Sequence, residues 1–241
     1  FLRRYDISRD DRLRSTISLE RIGANTYFSL EGWATQTLRV GDSQGQVPVA
    51  LPVIDWRRRF EDPLLGGRFE LQANSLAITR TSGQDTQRAF VSGRWDLRRI
   101  TSLGQEVTLT GLVRGDVYHS DQNALTATTL YRGNPGWETR GLATAAVDVK
   151  WPLVGQFLGG TQVLTPRVQI VASPTLKNLD VPNEDARSID LEDSNLFALN
   201  RFAGYDRVED GVRFTYGFDW QWERPNWRVT STIGQSYRLT S

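Results

Sequence analysis

Between Val212 and Trp222 the chain alternates without a break. Val212, Phe214, Tyr216, Phe218, Trp220 and Trp222 fall on one side, and Arg213, Thr215, Gly217, Asp219 and Gln221 on the other. Side chains alternate across an extended backbone, so this period of two predicts a β-strand with one aromatic and one polar face. The same alternation recurs along the chain. RLRSTISLERI (12–22) sets Leu13, Ile17 and Leu19 against Arg12, Arg14, Thr16, Ser18 and Glu20, and a second run extends from Thr26 to about Gln36. The segment 45–61 is extended, but Pro48 and Pro52 keep it from pairing along its whole length. In 67–81 the apolar set moves from odd to even positions near Ser75, which predicts a β-bulge there. In 88–99, Ala89, Val91, Gly93, Trp95 and Leu97 oppose Arg88, Ser92, Arg94, Asp96 and Arg98. Comparable runs at 106–118, 140–151, 161–173 and 226–239 bring the expectation to about ten strands and no helix.

The period leaves open which solvent each face meets. A soluble sandwich buries the apolar face, whereas an outer-membrane barrel turns it to lipid. Three features favour the barrel. The runs are about 11 to 14 residues long, longer than the ~5–6 typical of globular strands and enough to cross a membrane. The polar face mixes both signs of charge on neighbouring strands, as in Arg94 and Asp96 beside Arg114 and Asp116. Trp56, Trp137, Trp151, Trp222 and Trp227 sit at or near expected strand ends, where an aromatic girdle belongs. Short links at 23–25, 61–66, 100–104 and 224–226 also interleave with longer ones at 37–44, 119–138 and 174–211, the link at 81–87 being shorter than this pattern.

Composition narrows the classes further. No run of 18 apolar residues exists, which excludes a transmembrane helix. A mean hydropathy of −0.44 does not argue against a barrel, whose polar interior offsets its apolar exterior in any average. The formal charge of +1 leaves out the basic excess of a nucleic-acid binder. Cysteine is missing, so disulfides and thiolate metal sites play no part in this segment. Lys150 and Lys177 are the only lysines. Arginine in their place suits crowded, bidentate ion pairs. The opening FLRRYDISRDD reads as the middle of a longer chain.

The connection at 174–211 is too long for an ordinary link. Its Leu196, Phe197, Phe202 and Tyr205 are apolar anchors that a freely solvated loop does not need, and Arg201, Asp206, Arg207 and Glu209, with Asn195 nearby, can pair with polar groups inside a barrel. We therefore expect 183–211 to fold inward and cap or plug the lumen. Arg88, Arg94, Arg98, Arg114, Arg140 and Arg167 are the strand residues best suited to a phosphorylated ligand, but each has an acid within reach, and for any single one a structural ion-pair lattice is the better account. His119, Ser120 and Asp121 contain the residue types of a hydrolase triad, but chain neighbours cannot line up a nucleophile, a base and an orienting acid. Glu184, Asp185, Asp190, Glu192 and Asp193 lack the spacing of a calcium loop. No cofactor, metal or catalytic residue is expected.

Two stretches carry a resemblance. NLFALNRFAGYDRVEDG (195–211), with the Leu-Thr-Pro-Arg strand at 164–167 before it, resembles the C-terminal barrel of the LptD or OstA family of lipopolysaccharide-assembly outer-membrane proteins. GQVPVALPVIDWRRRFEDPLLGG and WDLRR resemble its alphaproteobacterial branch. The resemblance implies an all-β, antiparallel transmembrane barrel of a Gram-negative outer membrane, of which residues 1–241 are an interior portion of about ten strands. It implies a barrel that opens laterally and releases lipopolysaccharide into the outer leaflet. A periplasmic transport bridge supplies the glycolipid, an LptE-type lipoprotein fills the lumen, and outer-membrane lipids surround the wall. Phe214, Tyr216, Phe218, Trp220 and Trp222 then face lipid. The family's jellyroll domain is missing here, and SYRLTS lacks the terminal aromatic residue of such barrels. An ordinary porin or receptor barrel and a soluble carbohydrate-binding sandwich are the alternatives.

Overall fold

The computed structural model describes residues 12–39, 41, 43–61, 64–186, 189 and 191–239. The opening FLRRYDISRDD and the acidic Asp190 lie outside them. Eleven strands follow in chain order: β1 (Arg12–Ile22), β2 (Thr26–Thr37), β3 (Val49–Glu61), β4 (Arg68–Thr79), β5 (Asp85–Ile100), β6 (Glu106–Asp121), β7 (Gly136–Lys150), β8 (Leu153–Phe157), β9 (Gly160–Ser173), β10 (Gly211–Arg224) and β11 (Trp227–Arg238). One short helix, α1 (Thr129–Arg132), lies between β6 and β7. Every strand pairing among the described residues is antiparallel, and the sheet runs from β1 to β11 in sequence order, with β8 attached to β9 beside this path. The sheet does not close: β1 and β11 form its two edges among the described residues.

The strand count exceeds the expected ten because Pro152 splits one strand into β7 and β8. β9 pairs with β7 through Arg167–Ala172 and with β8 through Gly160–Leu164. Between them only Trp151 bonds across, its N–H donating to the Pro166 carbonyl at 3.0 Å, since proline has no N–H to offer. The bulge expected at Ser75 is not there. β4 pairs with β5 in one register from Arg68 to Ile78. The irregularity lies in β3, where the ladders to β2 and β4 both skip Leu51 and Pro52. The apolar set of β4 changes parity because the chemistry of its inner face changes: Leu76 and Ile78 pack there with Ala50, Trp33 and Val53. Trp56 also departs from expectation, sitting mid-strand in β3.

Burial is inverted relative to a soluble sheet. In β5, Thr86, Arg88, Phe90 and Ser92 are buried while Val91 between them is 61% exposed. In β7, Arg140, Leu142, Thr144, Ala146 and Asp148 are buried and Ala143, Ala145 and Val147 are bare. In β10, Arg213 and Thr215 are buried while Tyr216 and Phe218 are exposed. The turns and loops explain this. At one end the strands are joined tightly, as at 23–25, 101–105, 158–159 and 225–226. At the other end are the long connections 38–48, 122–135 and 174–210, and the last folds back over the polar face. At the tight end the indole N–H groups of Trp95, Trp151 and Trp222 donate to the carbonyls of Leu64, Leu103 and Phe157, each binding a strand to a neighbouring turn.

Candidate functional site

Strand alternation points Arg88, Arg114, Arg140 and Arg167 to the same face, and the connection 174–210 supplies what they hold. Arg88 Nη1 donates to Asp185 Oδ2 at 2.7 Å and to Asp206 Oδ1 at 2.5 Å, with the Arg88 and Asp206 side chains only 3% and 1% exposed. The two aspartates also tie the loop to itself. Asp206 Oδ2 accepts the N–H groups of Glu184 (2.7 Å) and Asp185 (3.2 Å), while Asp185 Oδ1 accepts those of Tyr205 and Asp206, both at 3.0 Å. Burial works to raise both carboxyls. For Asp206 the Arg88 charge and the Glu184 N–H overcome it and hold the group below the usual aspartate range. For Asp185 burial, reinforced by the charge of Asp206, wins and pushes the group up.

A second node centres on Asp116, whose side chain is fully buried. It accepts Arg114 Nε at 2.5 Å and Arg140 Nε and Nη2 at 2.8 and 2.7 Å. The remaining guanidinium donors reach the loop backbone: Arg114 Nη2 to the Tyr205 carbonyl at 2.9 Å, and Arg140 Nη1 to the Asp206 carbonyl at 2.8 Å. The Tyr205 ring packs 4.8 Å from Phe90, and its hydroxyl accepts from Arg57 and from Gln72 at 3.0 Å. The loop tip is thus clasped by four successive strands, β3 to β6, and by β7.

The rest of the loop is seated in the same way. Arg167 bonds Asp148 at 2.8 Å and lies 4.1 Å over the Phe197 ring, and Gln169 donates to both Asp148 and the Phe197 carbonyl at 2.9 Å. Glu209 receives Arg201 at 2.5 Å and also Arg213. Burial would raise Glu209, and those arginines hold it below the usual glutamate range instead. Arg207 is buried, and among the described residues its hydrogen bonds go to carbonyls, those of Val181 (3.0 Å), Asp206 (3.3 Å) and Leu130 (2.8 Å), and its burial lowers its pKa. It joins the connection 122–135 to the long loop. Leu196 is buried and Phe202 half-buried, and Asn195 Oδ1 accepts the Glu192 N–H at 2.9 Å.

Of the six arginines singled out in sequence, four meet the loop. Arg94 and Arg98 bond Asp96 and Glu106 at 2.8 and 2.5 Å and lie exposed towards the tight-turn end. The acidic run disperses: Glu184 takes Arg80 at 2.6 Å and Thr86 at 2.9 Å, Asp185 takes Arg88, and Asp193 accepts the Ser194 N–H at 2.8 Å. Ser120 points to the covered face, where its hydroxyl accepts from Asn123 at 2.9 Å, while His119 lies on the other face 4.7 Å from Trp137. The serine is therefore on the opposite side of the strand from the histidine, whose Nδ1 lies 3.9 Å from Asp121. On the bare face, Phe214 lies 5.8 Å from Tyr216, Tyr216 stacks on Tyr237 at 6.2 Å, and Trp220 and Trp222 donate to Gln162 and the Phe157 carbonyl at 3.0 and 2.7 Å. Sequence reading missed Asn74, which accepts from Arg88 at 3.3 Å, Tyr118, whose hydroxyl donates to Asp206 at 3.3 Å, Asn123, and Asn178, which accepts from Arg140 at 3.1 Å and donates to the Val208 carbonyl at 2.7 Å. Phe90 and Tyr118 carried a signal, since each is an aromatic residue on the polar parity of its strand.

Long antiparallel strands in chain order, with an apolar face bare and a polar face packed under a loop, define an inside-out all-β sheet rather than a sandwich. The family model LptD: LPS transport system D matches residues 1–241, and the chain belongs to that family. The LPS-assembly protein LptD of Psychrobacter cryohalolentis is 34% identical over 84 residues, which are 34% of this chain and 8% of that protein. The chain therefore aligns with a small part of that relative's length.

Proposed function

We propose that residues 1–241 form part of the wall of a large outer-membrane barrel that inserts lipopolysaccharide into the outer leaflet. The bare face meets lipid, with Phe214, Tyr216, Phe218, Trp220 and Trp222 among its contacts. The covered face lines the lumen, further strands complete the barrel beyond β1 and β11, and the tight turns face the periplasm. Lipopolysaccharide arrives from a periplasmic transport bridge, its sugars pass the polar lumen, and its acyl chains leave through a seam outside this chain. An LptE-type lipoprotein shares the lumen. The chain transports and does no bond-making chemistry. The observation that carries this reading is the inversion of burial: Thr215 is fully buried and Val113 is 61% exposed. In water that arrangement leaves apolar area unburied at about 25 cal/mol per Å², a cost that hydrocarbon removes.

Loop 174–210 caps the lumen in this account. Deleting 183–211 in cells leaves lipopolysaccharide appearing at the surface but admits large antibiotics that the intact outer membrane excludes. Unchanged exclusion contradicts the capping role, and surface lipopolysaccharide that does not depend on the protein at all contradicts the transport role.

A further inference from the structure

Charge on the bare face is sorted by end. Between the two edge strands, the described strand residues of this face include Arg58, Arg99 and Arg224 as its arginines and Asp85 and Asp121 as its carboxylates. Alternation fixes the side: Arg58 shares the parity of Trp56 and Phe60, Arg99 that of Trp95, and Arg224 that of Trp222. Each arginine stands within three residues of the tight-turn end of its strand. Asp85 opens β5 and Asp121 closes β6 at the opposite end.

These arginines differ from their inner-face neighbours in lacking an acid. On the inner parity at the same end, Arg59 bonds Glu70 at 2.8 Å and Arg98 bonds Glu106 at 2.5 Å. Arg58 and Arg224 have no ion-pair partner among the described residues, and Arg99 donates there to the carbonyls of Leu65 and Arg98. All three side chains are exposed. Arg58 lies 5.0 Å over the Phe60 ring and Arg224 5.8 Å over that of Trp222, so each guanidinium sits at the margin of the apolar band. The turns beside them are apolar too. Leu65 is held by Arg99, Leu158 follows the carbonyl held by Trp222, and both lie open at 70% and 72% exposure. Their φ angles of 57° and 46° fall in the left-handed region, where a tight hairpin turn favours asparagine or glycine, so turn stability does not select leucine.

We propose that this rim binds anionic glycerophospholipids of the periplasmic leaflet, with Arg58, Arg99 and Arg224 donating to the phosphodiester oxygens. Arginine matches phosphate by paired N–H donors, and its stem lies along apolar surface while its head reaches the polar layer. A zwitterionic headgroup brings an ammonium as well, and no strand carboxylate among the described residues at this end of the bare face receives it. The proposal rests on the lipid-facing reading above, which supplies the membrane but not the choice of headgroup.

The test titrates detergent-solubilised full-length protein with phosphatidylglycerol or phosphatidylethanolamine of the same acyl chains and counts retained lipid by native mass spectrometry. Phosphatidylglycerol is expected to bind at least about fivefold more tightly, the effect of one basic residue at an anionic surface. The triple variant Arg58→Gln, Arg99→Gln, Arg224→Gln is expected to lose that preference. The double variant Arg59→Gln, Arg68→Gln removes inner-parity charge at the same end and keeps it. Equal retention of the two lipids by the wild-type protein overturns the proposal and leaves the lipid-facing wall standing. A preference that survives in the triple variant, or that the double variant also loses, overturns it likewise. Displacement of phosphatidylglycerol by free glycerol phosphate overturns the assignment to a membrane headgroup. Retention of neither lipid overturns the proposal together with the lipid-facing reading. An unchanged thermal unfolding midpoint shows that the variants are folded.

Discussion

Asp185 and Asp206 share one arginine, yet they hold the loop in different ways. Asp206 is buried, ionised and satisfied by Arg88 and two backbone N–H groups. Removing its charge leaves a buried guanidinium partly uncompensated, an effect of about 3 kcal/mol in such settings. Asp185 stands in a site that already disfavours its charge, and its Oδ1 contacts with Tyr205 and Asp206 need only an acceptor. Asp206→Asn should therefore undock the loop, while Asp185→Asn changes its docking by under about 1 kcal/mol. Hydrogen–deuterium exchange at the Tyr205 and Asp206 amides distinguishes them, and equal effects would contradict this assignment. The same groups set the pH response. Asp206 and Glu209 lie below their ordinary values of 3.8 and 4.5, so their contribution is complete above those values and is lost as pH falls through the depressed ones. Asp185 lies above 3.8, so its contribution is complete below that value and is lost as pH rises through the raised one. Docking is expected to be firmest in mild acid a little above pH 4.5, slightly weaker at neutral pH, and lost in stronger acid. A protection profile that falls steadily from neutral pH downward would rule out the raised Asp185.

At the scale of elements, the loop depends on backbone placements as much as on charge. Gly204 has φ +75°, and a Cβ there would lie 2.4 Å from the Asp185 side chain. Gly204→Ala then meets both a left-handed backbone and a clash beside the aspartate pair. A loss of about 2 kcal/mol in loop protection is expected, with the strand amides unaffected. Wild-type protection in that variant would contradict the geometry. The ten long strands were legible in sequence because most of them keep a period of two over more than ten residues. What failed was local. The Pro152 break hid β8, and apolar Leu76 and Ile78 on the inner parity imitated a bulge at Ser75. The length and apolar anchors of 174–210 marked it as ordered, and Leu196, Phe197 and Tyr205 do meet the sheet or its side chains. Its partners were not legible. The pairing of Arg88 with Asp206 spans 118 positions, and nothing in local pattern chooses among so many acids.

At the scale of the molecule, belonging to the LptD family and the inside-out sheet point the same way. The covered face is stabilised by ion pairs and hydrogen bonds between strands and loop, and the apolar cluster of Ala50, Leu76 and Ile78 on it is small. Such a sheet needs an apolar surrounding for its other face. That requirement is the centre of the account, and spin labels at Val113, Phe218 and Ile233, with Asp219 and Thr232 as the opposite face, test it most directly. In membranes, labels at the first three positions are expected to be relaxed by oxygen more than by a water-soluble nickel complex, and those at the last two the reverse. Labels at Val113, Phe218 and Ile233 shielded from both agents, or reached better by the nickel complex, would contradict a lipid-facing wall.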